Sequence, residues 1–124
     1  MINSKVRRYE KFWNETTYEG SSRIYQLAKD SGLRGVGVDY VVVKKEKVLK
    51  SHYHNIPNVL ILVLEGHGIL KLDGKNFRIK KGDVITIPPK TSHGFKTSKD
   101  RLVFLSIQSP PIYGKAAEKD TYFV

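Results

Sequence analysis

Along this chain the apolar residues gather in short, β-branched runs closed by Gly, Asp, Asn or Pro, and helical periodicity is scarce. Such a pattern predicts strands, because side chains two apart share a face of a pleated backbone, whereas a helix needs apolar positions three and four apart. Alternation over "SRIYQLA", from Ser22, marks a first strand, and "VGVDYVVV", Val36 to Val43, a stronger second one. "VLKSHYH", Val48 to His54, is next along the chain, and "NIPN" interrupts it, since Pro57 has no N–H for a ladder. In "VLILVLE" both alternating sets are apolar from Val59 to Leu64. That predicts a strand covered on both faces, in a sandwich, a barrel wall or a subunit interface.

Asp73–Gly74 supplies residues that accept the positive φ angles of a type I′ turn, so Ile69–Leu72 and Asn76–Ile79 are expected to pair as a hairpin. Gly82–Asp83 marks another turn, and Val84–Ile87 a strand that stops at Pro88–Pro89. Further strands are expected around His93 and over Arg101–Ile107. This many strands in 124 residues predicts an all-β fold, a closed barrel or two-sheet jelly roll, which solves the problem of exposed edges. The barrel domain is expected over residues 20–108. An N-terminal arm, 1–19, carries Tyr9, Phe12, Trp13 and Tyr18, and a tail, 109–124, ends in "TYFV" and is expected to pack on the barrel or on a partner subunit.

Composition narrows the chemistry. The chain has no cysteine, which removes disulfides, thiolate catalysis and cysteine-ligated zinc, so any metal must be held by His nitrogen or by oxygen. A formal charge of +10, from 22 Lys and Arg against 12 Asp and Glu, raises nucleic acid and anionic metabolites as partners. The basic residues are spread, however, from Arg7–Arg8 through Lys44–Lys45 and Lys80–Lys81 to Arg101, as on a solvated lysine-rich surface. Nucleic acid is therefore not the expected partner. With neither a membrane-length apolar run nor a signal-peptide core, a cytoplasmic protein with no membrane partner is expected.

His52 and His54 stand two apart on a predicted strand, so their imidazoles share a face and Tyr53 looks away. Alone, that pair is weak. The longer stretch that it opens, "HYHNIPNVLILVLEGHGILKLDG…IKKGDVITIPPKTSHGFKT", resembles the cupin superfamily. The family's first motif is matched by His52, His54 and Gly66, and its second by Gly82, Pro88 and His93, with the predicted hairpin between them. The resemblance runs from about Val36 to Ile107 and implies a small double-stranded β-helix, the cupin jelly roll, with a metal site inside and homodimers common.

The departures are specific. The glutamate that completes the family's ligand set falls at Val59 or Asn58, neither a carboxylate, and Asn58 is expected to face out if Val59 faces in. Glu65 precedes the motif glycine and is not a ligand in the family. Glu46, Lys90 and Thr97 stand where glycine, glycine and asparagine are expected, which is expected to alter turn geometry. The resemblance implies a divalent metal, iron, manganese, nickel or zinc, on His52, His54 and His93. Three neutral ligands leave the ion its full charge and open positions, which suits a small anionic oxygen ligand and dioxygenase- or isomerase-like chemistry. The alternative is a barrel that binds a sugar or other small molecule without a catalytic metal. No general base is assigned. His67, between two glycines, is expected in an exposed turn, and Tyr40, Tyr53, Phe77, Phe95 and Phe104 in the core or barrel wall, with Tyr25 a candidate for the pocket mouth.

Overall fold

The computed structural model describes residues 5–14, 20–112 and 120–124, so Tyr18 and positions 113–119 of the expected tail lie outside the described residues. A 3-10 turn, Tyr9–Phe12, leads into the strands β1 (Trp13–Asn14), β2 (Ser22–Gln26), β3 (Gly37–Val43), β4 (Val48–Tyr53), β5 (Asn58–Glu65) and β6 (His67–Leu72). After them come β7 (Lys75–Lys80), β8 (Val84–Ile87), β9 (His93–Lys96), β10 (Leu102–Ser109) and β11 (Tyr122–Phe123). Two antiparallel sheets result, one ordered β1-β2-β3-β10-β5-β8 and the other β11-β4-β9-β6-β7. This is the expected all-β jelly roll. The short strands near each end of the chain, β1 and β11, extend the sheet edges beside β2 and β4.

The core forms between the sheets because each strand's alternation is met across the gap. Val41, Val43, Ile61, Val63, Leu102 and Phe104 of the larger sheet cluster with Leu49, Leu70, Ile79 and Phe95 of the smaller. Phe95 and Phe104 stack with centroids 4.7 Å apart, tying the layers together. Asp73 and Gly74 both take positive φ, 51° and 84°, and close β6 on β7 as the turn residues require.

Several expectations are refined or corrected. Within one chain the run Val59–Leu64 is covered on one face, since Val59, Ile61 and Val63 are buried whereas Leu60 and Leu62 are 41% and 36% exposed, which leaves a subunit interface as the setting for its other face. Phe77 lies in the wall strand β7 with its side chain exposed. His67 opens strand β6 instead of lying in a turn, although its side chain is exposed and pairs with Asp100 at 3.0 Å. The turn geometry expected to change at Glu46 and Lys90 is kept, since both adopt positive φ, 54° and 63°, with ordinary side chains. Thr97 holds the β3–β4 corner from the neighbouring loop, its hydroxyl donating to the Lys44 carbonyl and accepting from the Lys47 N–H at 3.0 Å.

Candidate metal centre

Strand β4 carries a bulge. Leu49 is opposite Phe95 and His52 opposite His93, so three steps on β4 answer two on β9. The extra residue restores parity, and Leu49 and His52 both face the interior despite their odd spacing. Ser51 of the bulge lies over Gly94, where an added Cβ would be 2.6 Å from its Oγ and 2.9 Å from the Leu49 carbonyl oxygen. Glycine is needed there for the two histidine strands to approach.

His52, His54 and His93 are all buried, and one ring nitrogen from each lies within 4.8 Å of the others. Ring centroids stand 4.4 Å apart for His52–His93, 5.1 Å for His52–His54 and 5.4 Å for His54–His93. Each Nδ1 faces a backbone carbonyl oxygen: His52 that of Lys50 at 2.8 Å, His54 that of Asp120 at 2.8 Å, His93 that of Thr91 at 3.0 Å. A carbonyl only accepts, so every Nδ1 bears the proton and Nε2 is the nitrogen with the lone pair. Burial, and for His52 also its neighbour His93, holds the imidazoles neutral, with pKa values lowered to about 3 for His52 and about 4 for His93 and lowered for His54. Three neutral imidazoles in one tautomer, oriented by outer partners, are what a divalent ion at about 2.0–2.1 Å from nitrogen requires.

The rest of the site comes from loops and from the C-terminal segment. Lys90 donates its N–H to the His54 carbonyl at 2.6 Å, joining the β8–β9 loop to the end of β4. The Asp120 carboxylate accepts the N–H groups of Asn55 and Ile56 at 2.9 and 3.1 Å. Strand β11 sets Phe123 beside His52, ring centroids 5.9 Å apart, and stacks Tyr122 on Tyr53 at 5.2 Å. Val59 is buried on the inner face and Asn58 is exposed, so neither offers a fourth anionic donor. Glu65 is engaged with Arg101 at 3.1–3.3 Å on the surface, and Glu46 lies exposed at the β3–β4 corner. Three residues that shape this interior, Asp39, Gln108 and Asp120, are not among the sequence candidates. For Asp39 a signal exists, since it shares an alternating set with Val41 and Val43.

Comparison with known proteins agrees with this architecture. Residues 39–108 match the family model of the Cupin domain. An uncharacterized protein of Methanocaldococcus jannaschii is 34% identical over 102 residues, covering 75% of this chain and 77% of its own length. The acireductone dioxygenase of Bacillus pumilus is 36% identical over 59 residues, which cover 44% of this chain and 33% of that protein. Among solved structures, the polyketide cyclase RemF of Streptomyces resistomycificus superposes with a TM-score of 0.78 at 21% identity, covering 98% of this chain and 86% of that one. A cupin-superfamily sugar phosphate isomerase of Silicibacter pomeroyi gives 0.69 at 20% identity, over 90% and 70%. By the match of its central residues and the jelly roll built from them, this chain belongs to the cupin family.

Proposed function

We propose that this chain is a three-histidine metal cupin: the Nε2 atoms of His52, His54 and His93 hold one divalent ion, iron, manganese, nickel or zinc. The open positions of that ion then take a small anionic, oxygen-bearing molecule for dioxygenase- or isomerase-like chemistry. The observation that carries the reading is that all three Nδ1 atoms stand at hydrogen-bond distance from backbone carbonyl oxygens, which directs the proton to Nδ1 and the lone pair to Nε2. A bound ion supplies Lewis acidity toward a ligand oxygen. The protein supplies neutral donors, their orientation, and burial of all three imidazoles, where such an interaction is stronger than in water. The dioxygenase and isomerase among the similar proteins support a small-molecule ligand. A homodimer through the outer face of the larger sheet belongs to the same reading.

A second reading rests on Val59, apolar where a fourth, carboxylate ligand would stand: a barrel that binds a sugar or similar molecule without a catalytic metal. Elemental analysis of untagged protein, purified without added metal or chelator, separates the two. The metal reading expects close to one transition ion per chain in the native protein, loss of it in His52→Ala and in His93→Ala, and retention in His67→Ala. Protein that stays metal-free after incubation with each ion would leave the binding barrel as the function.

A further inference from the structure

The inner face of the larger sheet changes character along its length. Near the β3–β4 corner it presents Val41, Val43, Leu102 and Phe104, and farther away it presents Gln26, Asp39, Ser106 and Gln108. The registers place that polar group relative to the histidines. Phe95 and Phe104 meet across the barrel, and the corner lies on the side of Lys96, opposite Val48, and of Leu102, opposite Val43. Two residues from the stack in the other direction stand His93 on β9 and Ser106 on β10, paired with His52 and Asp39. The Asp39–Ser106 row and the His52–His93 row therefore stand at the same level on opposite sheets, whose backbones pack about 10 Å apart.

Asp39 is 8% exposed. Its Oδ2 accepts from Gln108 Nε2 at 3.0 Å, whereas Oδ1 is buried with no hydrogen-bond partner. Gln108 is fixed from both sides: Nε2 also reaches the Ser106 carbonyl and hydroxyl at 3.0 and 2.9 Å, and Oε1 accepts the Ile112 N–H at 3.4 Å. Gly37 makes the room, since a Cβ there would be 2.3 Å from Gln108 Oε1. A buried acceptor without a partner costs about 1–3 kcal/mol, so a carboxyl held this firmly with one oxygen unmatched calls for a partner from outside the chain.

We propose that Asp39 is the residue through which the cavity handles protons, its Oδ1 contacting a hydroxyl or an activated C–H of an α-hydroxycarbonyl-type ligand seated on the histidine centre, with Gln108 as its positioning residue. This rests on the metal reading above. A proton taken from the ligand is held on Oδ1 and returned to the ligand, so no co-reactant is consumed. Oδ2 already accepts from Gln108, which leaves Oδ1 as the oxygen that carries the proton. In the metal-free protein burial raises the Asp39 pKa to about 7, against the opposing hydrogen bond of Gln108, so the fold by itself favours a carboxyl that holds its proton. Among the described residues, Asp39 is the one buried carboxylate, and the buried histidines are His52, His54 and His93.

The test uses acetohydroxamate, a bidentate oxygen ligand with an acidic proton, on full-length protein loaded with Co(II), followed by the visible spectrum. Asp39→Asn, nearly isosteric, is expected to keep one cobalt per chain and to bind acetohydroxamate about tenfold or more weaker than wild type. In the Zn(II)-loaded wild type, the 13C carboxyl signal of Asp39 is expected to shift when acetohydroxamate is added. Equal affinity in the two proteins, or a carboxyl signal that does not move while the ligand binds, overturns the role of Asp39 and leaves the metal centre standing. A wild type that takes up no cobalt overturns the metal reading itself, and the proposal with it.

Discussion

His54 Nδ1 lies 2.8 Å from the carbonyl oxygen of Asp120, a residue 66 positions away in sequence. Val124 continues the contact by donating its N–H to the Ser51 carbonyl at 3.1 Å, inside the bulge that re-aims His52. The C-terminal strand thus touches the supports of two of the three imidazoles. Deleting residues 120–124 removes the acceptor that sets the His54 tautomer. Loss of such an outer partner typically costs 10–100-fold in metal affinity. Zn(II) affinity by competition with a chromophoric chelator is expected to fall within that range, and an unchanged affinity would show that the strand is only an edge cover.

A titration contrast isolates Asp39. Its pKa is raised in the fold to about 7 from 3.8, so the folded state binds the proton more tightly than the unfolded chain. The stabilisation is complete below pH 3.8 and is lost as pH rises toward and through about 7. His52 and His93, lowered to about 3 and about 4, act in the opposite sense and cost stability as pH falls below their unfolded value of 6.5. Asp39→Asn keeps those histidines, so the stability difference between variant and wild type reports Asp39 alone. In metal-free protein the variant is expected to gain on wild type steadily from pH 4 to pH 7, by a few kcal/mol in all. Urea unfolding across that range checks it, and a difference independent of pH would contradict the raised value.

Gly94 shows how tightly the site depends on backbone approach. Its missing Cβ would stand 2.9 Å from both the Leu49 carbonyl oxygen and the Ser51 N, which are main-chain atoms that cannot swing aside. Gly94→Ala is expected to push β9 from β4 where His93 meets His52, costing about 1–3 kcal/mol by overpacking and weakening metal binding. Thermal melts with and without Zn(II) test both. A variant with wild-type stability and metal-induced stabilisation would mean that the bulge yields without cost.

The strand list and the shared face of His52 and His54 are legible in the chain because both rest on local rules, whereas His93 enters only through the resemblance to the cupin superfamily. Two histidines two apart share a face whatever the fold, and Asp73–Gly74 accepts positive φ from its own residues. The one-sided burial of Val59–Leu64 is not legible, because a run apolar on both sets carries no information on which face the fold covers. Asp120 is out of reach of sequence reasoning, since its contribution to His54 is a backbone carbonyl that any residue type supplies. Glu46 and Lys90 suggest altered turns, yet the loops around them impose left-handed φ on residues that do not favour it.

That strain can be relieved. A left-handed conformation costs a non-glycine residue about 1–2 kcal/mol, partly offset by the larger entropy glycine loses on folding. Both side chains are exposed, so no packing is forfeited. Glu46→Gly and Lys90→Gly are each expected to stabilise the protein by about 0.5–1 kcal/mol. The gain should appear as a melting temperature raised by a few degrees with metal content unchanged. A lower melting temperature in both would mean that the left-handed turns carry little strain.

The outer face of the larger sheet is where a second copy of the chain is expected. Across the strands, Tyr40, Leu105, Leu62 and Val84 stand in one row and Val38, Ile107 and Leu60 in the next. Tyr9 covers one end, its ring 5.0 and 4.6 Å from Tyr25 and Tyr40, while Leu60, Leu62 and Val84 remain 41%, 36% and 62% exposed. In a chain with 22 Lys and Arg, no charge interrupts these two rows, although lysine would be expected on a face meant for water. A flat apolar face without charge is complementary to itself, which suits an isologous two-fold dimer and tolerates a net charge of +10 on each copy. Sedimentation equilibrium at micromolar concentration is expected to give the dimer mass for wild type, more firmly as salt screens the repulsion. Leu62→Lys should sediment as a folded monomer, because it places a charge at the middle of each face. A monomeric wild type at high salt would leave these rows without a partner of their own kind.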